Sequence, residues 1–90
     1  QEPRLVRRTV ARANIPEQAR VLDLATGTGD LAFEVLKQHP DAQVVGADIA
    51  AEMMEVGRAR AGGDRIEWVI GHETHMFGTL ATHWAMKPVD

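Results

Sequence analysis

The chain has 90 residues, a formal net charge of −3, 44% hydrophobic and 26% charged residues, and no cysteine. That is enough for one small soluble domain, which buries only about 60% of its unfolded surface. Disulfides and thiolate metal sites are excluded, no apolar run approaches the ~20 residues of a membrane span, and an acidic balance argues against nucleic acid as the main partner.

The basic residues are uneven: Arg4, Arg7, Arg8, Arg12 and Arg20 make up half of the ten. They read as a solvated helix face, or as a patch for a phosphate-bearing partner or for at most peripheral contact with an anionic membrane surface. Residues 4–14 place Val6, Val10 and Ala13 on one helical face, and Asn14-Ile15-Pro16 ends that helix. Residues 19–25 are an apolar run interrupted by Arg20 and Asp23, as suits a parallel strand covered on both faces. Residues 30–38 repeat apolar positions at helical spacing, with Asp30 and Lys37 placed favourably for the helix dipole. A second strand follows over 43–48, a helix over 50–61 stopped by Gly62-Gly63, and a third strand over 66–70. This alternation predicts an α/β, Rossmann-like three-layer fold. Its sheet is truncated and parallel, with strands in the order 3-2-1 and flanking helices. From residue 71 the patterning weakens. Phe77, Leu80, Ala81 and Trp84 allow one further helix over roughly 75–86, so the chain divides into 1–70 and a divergent tail, 71–90.

The chemistry concentrates in Val21-Leu22-Asp23-Leu24-Ala25-Thr26-Gly27-Thr28-Gly29-Asp30-Leu31-Ala32, a strand, a glycine turn and a helix start. Gly27 and Gly29 let a ligand approach the backbone, and the helix start offers free amides. Asp48 closes the second strand, where a carboxylate can accept both hydroxyls of a ribose. These features together describe a nucleoside site. Asp23 narrows it. An acid at the end of the first strand is costly to bury without a partner, and the sulfonium and ammonium groups of S-adenosylmethionine offer one. Ala32 stands where a dinucleotide site has its third glycine.

This stretch resembles motif I of class I S-adenosylmethionine-dependent methyltransferases, most closely those of ubiquinone/menaquinone C-methylation. Gly46-Ala47-Asp48-Ile49, Glu52-Met53-Met54, Val56-Gly57-Arg58 and Ile66-Glu67-Trp68-Val69 resemble that family's next elements. The resemblance spans roughly residues 4–70 and implies a fragment carrying the cofactor half. The implied cofactor is S-adenosylmethionine, with Thr28 and the backbone of Gly27 and Gly29 at its methionine end. Asp48 would hold its ribose and Ile49 flank its adenine, with Ala25 and Met53 lining the site. His72 falls where the family has an adenine-reading acid or amide, followed by Glu73 in place of alanine, and the family's Leu-Pro-Phe is absent. Ala50 replaces the helix-capping serine or asparagine usual there.

The implied activity is C-methylation of a polyprenyl quinol, a small-molecule acceptor, with no catalytic residue assigned; the absence of cysteine fits a cytoplasmic protein. The histidines of the tail, among them His72, His75 and His83, read as solvated rather than as metal ligands. Two rival readings are a non-enzymatic nucleoside-binding or dimerisation module, self-associating through the open edge of the first strand, and an NAD-binding Rossmann fragment.

Overall fold

The computed structural model describes residues 2–71. Helix α1 (Pro3–Arg12) starts on Glu2, whose carboxylate accepts the amides of Arg4 and Leu5 at 2.8 and 3.1 Å. Pro3 in the first turn loses nothing, because its missing N–H would have had no helical partner. Val6 and Val10 are buried, whereas Ala13 lies beyond the last helical residue and is exposed. The helix ends there because Asn14 turns to φ 52°. Its arginines lie on the exposed side.

Strand β1 (Arg20–Leu24), helix α2 (Asp30–Gln38), strand β2 (Gln43–Asp48), helix α3 (Ala51–Ala59) and strand β3 (Ile66–Ile70) follow, with one 3-10 turn at Gly63–Arg65. The strands form one parallel sheet in the order β1-β2-β3, the predicted sequence of neighbours. Leu22 pairs with Val45, and Gly46 with Trp68. The parallel register brings Leu24, Asp48 and Ile70 to the same end of the sheet.

Burial differs from expectation at β1. Its residues 20–23 are half-buried and Leu24 is exposed, whereas Val44, Val45, Gly46 and Ala47 of β2 are buried. The reason is position: β2 has a strand on each side, and β1 has only β2 among the described residues. Val10, Ala32, Val35, Ala42, Val44 and Ile66 form the core between helices and sheet, with Val21, Phe33 and Trp68 packed against it. The contribution of α1, α2 and the strands to one cluster places these two helices on the same sheet face.

Ala50, the residue before helix α3, gives it no side-chain cap. The Asp48 carboxylate accepts the Ala50 amide at 3.0 Å, but this satisfies the residue before the helix, not the orphan amides of its first turn. Ala50→Ser should therefore add about 1 kcal/mol. In a domain of this size that raises the thermal midpoint by about 4–8 °C, measurable by circular dichroism melting.

Candidate functional site

The site is built where β1 gives way to α2. Ala25 takes φ 57°, an uncommon region for a residue with a Cβ, and so turns the chain out of the strand. Thr26 then turns inward. It is buried, its amide donates to the Ala47 carbonyl at 3.0 Å, and its hydroxyl donates to an Asp23 carboxylate oxygen at 2.8 Å. Room for it comes from β2: a Cβ on Gly46 would lie 3.0 Å from the Thr26 side chain. Gly27 (φ 58°) and Gly29 (φ 91°) complete the turn, closed by the Gly29 amide donating to the Thr26 carbonyl at 2.9 Å. At Gly29 a side chain is excluded twice, by φ and by Trp68 and Phe33, whose rings lie 2.8 and 3.0 Å from where its Cβ would stand.

Asp48 bridges this turn to the next helix. One carboxylate oxygen accepts the Gly27 amide at 2.7 Å, and the other accepts the Ala50 amide. These bonds hold the Asp48 carboxyl below its ordinary range, with the Ala50 amide as the larger cause, so it is ionised at neutral pH. Asp23 shifts the opposite way. Burial pushes it up, the bonds from Thr26 and the Ala32 amide offset this in part, and the Asp48 charge adds to the rise. Beside the two acids are apolar side chains left open: Ile49 is 66% and Met53 47% exposed. The Met53 terminal methyl lies 3.3 Å from where a Gly27 Cβ would be, so it sits over the turn.

Asp23, Ala25, Gly27, Thr28, Gly29, Asp48, Ile49 and Met53 thus converge at the C-terminal ends of β1 and β2. His72 and the helix expected over 75–86 lie outside the described residues. Thr26, Gly46, Gly57, Arg60 and Trp68 also shape the turn, and only Thr26 had a local signal, a hydroxyl three residues after an acid. A cleft lined by Val44, Arg65, Ile66 and others lies at the opposite ends of β2 and β3 and takes no part. Among the described residues no group of three or more acids and histidines is placed to hold a metal, and no helix is long and apolar enough to cross a membrane.

A family model described as a methyltransferase domain matches residues 21–81, which includes every element of this site. The chain belongs to the methyltransferase family. It is a class I, S-adenosylmethionine-dependent member close to the quinone C-methyltransferases. The match runs ten residues past Gly71, beyond the point where the motif resemblance ends. The ubiquinone/menaquinone biosynthesis C-methyltransferase of Desulfotalea psychrophila is 43% identical over 70 residues, covering 78% of this chain and 28% of that protein. The demethylmenaquinone methyltransferase of Roseiflexus castenholzii is 41% identical over 87 residues, covering 90% and 37%. The chain therefore spans only 28% to 37% of these relatives' length. Among solved structures, a methyltransferase of calicheamicin biosynthesis in its S-adenosylhomocysteine-bound form aligns with a TM-score of 0.66 and 26% identity, over 78% of this chain and 21% of that one. A Geobacter sulfurreducens methyltransferase in complex with S-adenosylhomocysteine shares the fold, with a TM-score of 0.67 at 23% identity, over 78% and 29%.

The opposite shifts of the two acids make a testable methyltransferase property. Asp23 has a folded-state pKa above its unfolded value, so ionising it penalises the unliganded fold. The penalty is full above the raised folded pKa and vanishes as pH falls below the unfolded value of 3.8. Asp23→Asn, which keeps an acceptor for Thr26, should melt higher than the wild type at about pH 7. The difference should close near pH 4. Melting curves at both pH values check this.

Proposed function

We propose that this chain binds S-adenosylmethionine at the β1–α2 turn and forms the cofactor half of a methyltransferase acting on carbon of a polyprenyl quinol. The carrying observation is Asp48, an ionised carboxylate at the end of β2 already bonded to the Gly27 amide. A carboxylate has about four acceptor positions. The amides of Gly27, Ala50 and Ile49 draw on at most three, which leaves capacity for a ribose hydroxyl. The rest of the donor set fits the same ligand. Asp23 offers negative charge near the turn, Ile49 and Met53 offer open apolar surface to an adenine, and the glycines leave the backbone bare. The quinol acceptor rests on the names of the relatives, which concern quinone biosynthesis.

When bound, the cofactor supplies an activated methyl group on sulfur. The chain's own residues bind and orient: Asp48 accepts ribose hydroxyls, Asp23 lies toward the cationic end, and the Thr28–Gly29 segment shapes the space for the amino-acid end. In this reading residues 1–70 are the cofactor unit and 71–90 a divergent end. The edge of β1 away from β2 is where a further strand or a second copy would pair.

Calorimetric titration of the full chain with S-adenosylhomocysteine and with NAD is the test. Binding of the first and not the second is expected. NAD binding alone would replace the methyltransferase reading with a dinucleotide site, and binding of neither would favour a non-enzymatic module.

A further inference from the structure

At the glycine turn one side chain contacts several neighbouring groups at once. Arg60 follows α3 directly. One guanidinium nitrogen donates to the Thr28 carbonyl at 3.0 Å and to Asp30 at 2.8 Å. The guanidinium carbon lies 4.2 Å from the centre of the Phe33 ring, over its face. Phe33 in turn packs on Trp68, their ring centroids 6.1 Å apart, and the Trp68 indole is tied to the Gly63 carbonyl at 2.8 Å. The Arg60 bond holds the Asp30 carboxyl below its ordinary pKa.

Peptide geometry makes this contact consequential. In a trans peptide the carbonyl and the following N–H point in opposite directions. Drawing the Thr28 carbonyl toward Arg60 therefore aims the Gly29 N–H the other way, where it meets the Thr26 carbonyl at 2.9 Å. Thr26 is the residue whose hydroxyl holds Asp23 at 2.8 Å. A continuous series of bonds thus runs from Arg60 through the Thr28–Gly29 peptide and Thr26 to the carboxylate at the cationic end of the site.

We propose that Arg60 is a positioning residue for the amino-acid end of the cofactor, acting through the Thr28–Gly29 peptide and Thr26 on Asp23. It touches no part of the adenosine end, where Asp48, Ile49 and Met53 lie. The proposal rests on the reading that S-adenosylmethionine binds at this turn.

The test compares two probes, S-adenosylhomocysteine and adenosine, on the full-length wild-type chain and on Arg60→Ala, Arg60→Lys and Asp30→Asn. Arg60→Ala should weaken S-adenosylhomocysteine about tenfold and change adenosine by less than about twofold. Arg60→Lys should recover part of the loss, since an ammonium can reach the Thr28 carbonyl but cannot lie flat on Phe33. Asp30→Asn leaves Arg60 on Thr28 and should show a smaller loss of the same kind. The Arg60 side chain is 41% exposed, so these variants should fold; melting curves verify this, and the two conservative variants carry the test should Arg60→Ala not fold. Equal weakening of both probes, or of neither, would overturn the positioning role while leaving the cofactor reading intact. A wild-type chain that binds neither probe would remove the cofactor reading and this proposal together.

Discussion

Gly57→Ala should destabilise the chain severely, although it replaces glycine by the best helix former in the middle of a helix. Propensity alone would favour the change by about 1 kcal/mol. Packing opposes it. A Cβ at Gly57 would lie 2.5 Å from a Trp68 ring carbon and 2.6 Å from the Thr28 carbonyl oxygen. The indole cannot swing away freely, because its nitrogen is bonded to the Gly63 carbonyl and its ring packs on Phe33. The Thr28 oxygen is backbone, held by Arg60. Overpacking costs about 1–3 kcal/mol at ordinary core sites, and two fixed obstacles place this site at the upper end. The net loss should be about 2 kcal/mol, which lowers the thermal midpoint by about 8–16 °C. Adding Trp68→Leu to Gly57→Ala separates the obstacles. If the ring dominates, the cost of the alanine shrinks in the leucine background; if the carbonyl dominates, it stays. On the proposed cofactor reading, affinity for S-adenosylhomocysteine should fall with stability, because α3 packs against the Thr28 carbonyl of the β1–α2 turn.

The same contacts show what the sequence could and could not reveal. Strands β2 and β3 occupy the ranges expected for them, since each is a short apolar run bounded by turn-forming residues. Helices α1 and α3 are each shorter than expected, because their ends are set by Asn14 at φ 52° and by the extended backbone at Arg60, which periodicity does not report. The front of the site was legible because its residues lie in two short motifs, Asp23 to Gly29 and Asp48 to Met53. The back was not. Arg60 meets Thr28 across 32 residues, and Trp68 reaches Gly29 and Gly57 only because β3 lies beside β2 and α3 crosses above it. Gly57 belonged to a recognised motif, but nothing local distinguished its role from that of an ordinary helix residue. Its meaning is the shape of a tryptophan supplied by another element. Thr26 is intermediate: its bond to Asp23 is local, while its burial depends on Gly46 in the neighbouring strand.

Asp48→Ala should abolish measurable binding of S-adenosylhomocysteine at micromolar concentrations. Hydrogen bonds to a charged acceptor contribute about 1.5–3 kcal/mol each. If Asp48 accepts ribose hydroxyls as proposed, its loss should weaken binding about 100-fold, each factor of ten being about 1.4 kcal/mol. The substitution also releases the Gly27 and Ala50 amides, so weaker binding alone could reflect a looser turn. Ligand chemistry separates the two causes. A 2′,3′-dideoxy analogue of S-adenosylhomocysteine lacks the hydroxyls but still needs the turn. If Asp48 holds the ribose, the wild type should prefer the parent compound strongly, and Asp48→Ala should bind the two about equally. If Asp48 acts only by ordering Gly27, the wild type should discriminate little and both ligands should weaken together. Acid titration adds an independent check with a definite sign. The folded-state pKa of Asp48 lies below its unfolded value of 3.8. Its contribution to stability is therefore fully present above the unfolded value and is lost only as pH falls through the lower folded one. The stability gap between the wild type and Asp48→Ala should hold steady from about pH 7 to pH 5 and close below about pH 4, opposite in sign to the Asp23→Asn gap over the same acid range. A carboxylate kept ionised in the unliganded fold is the form that accepts hydroxyl protons, so the pH at which the gap closes also marks where nucleoside affinity should be lost.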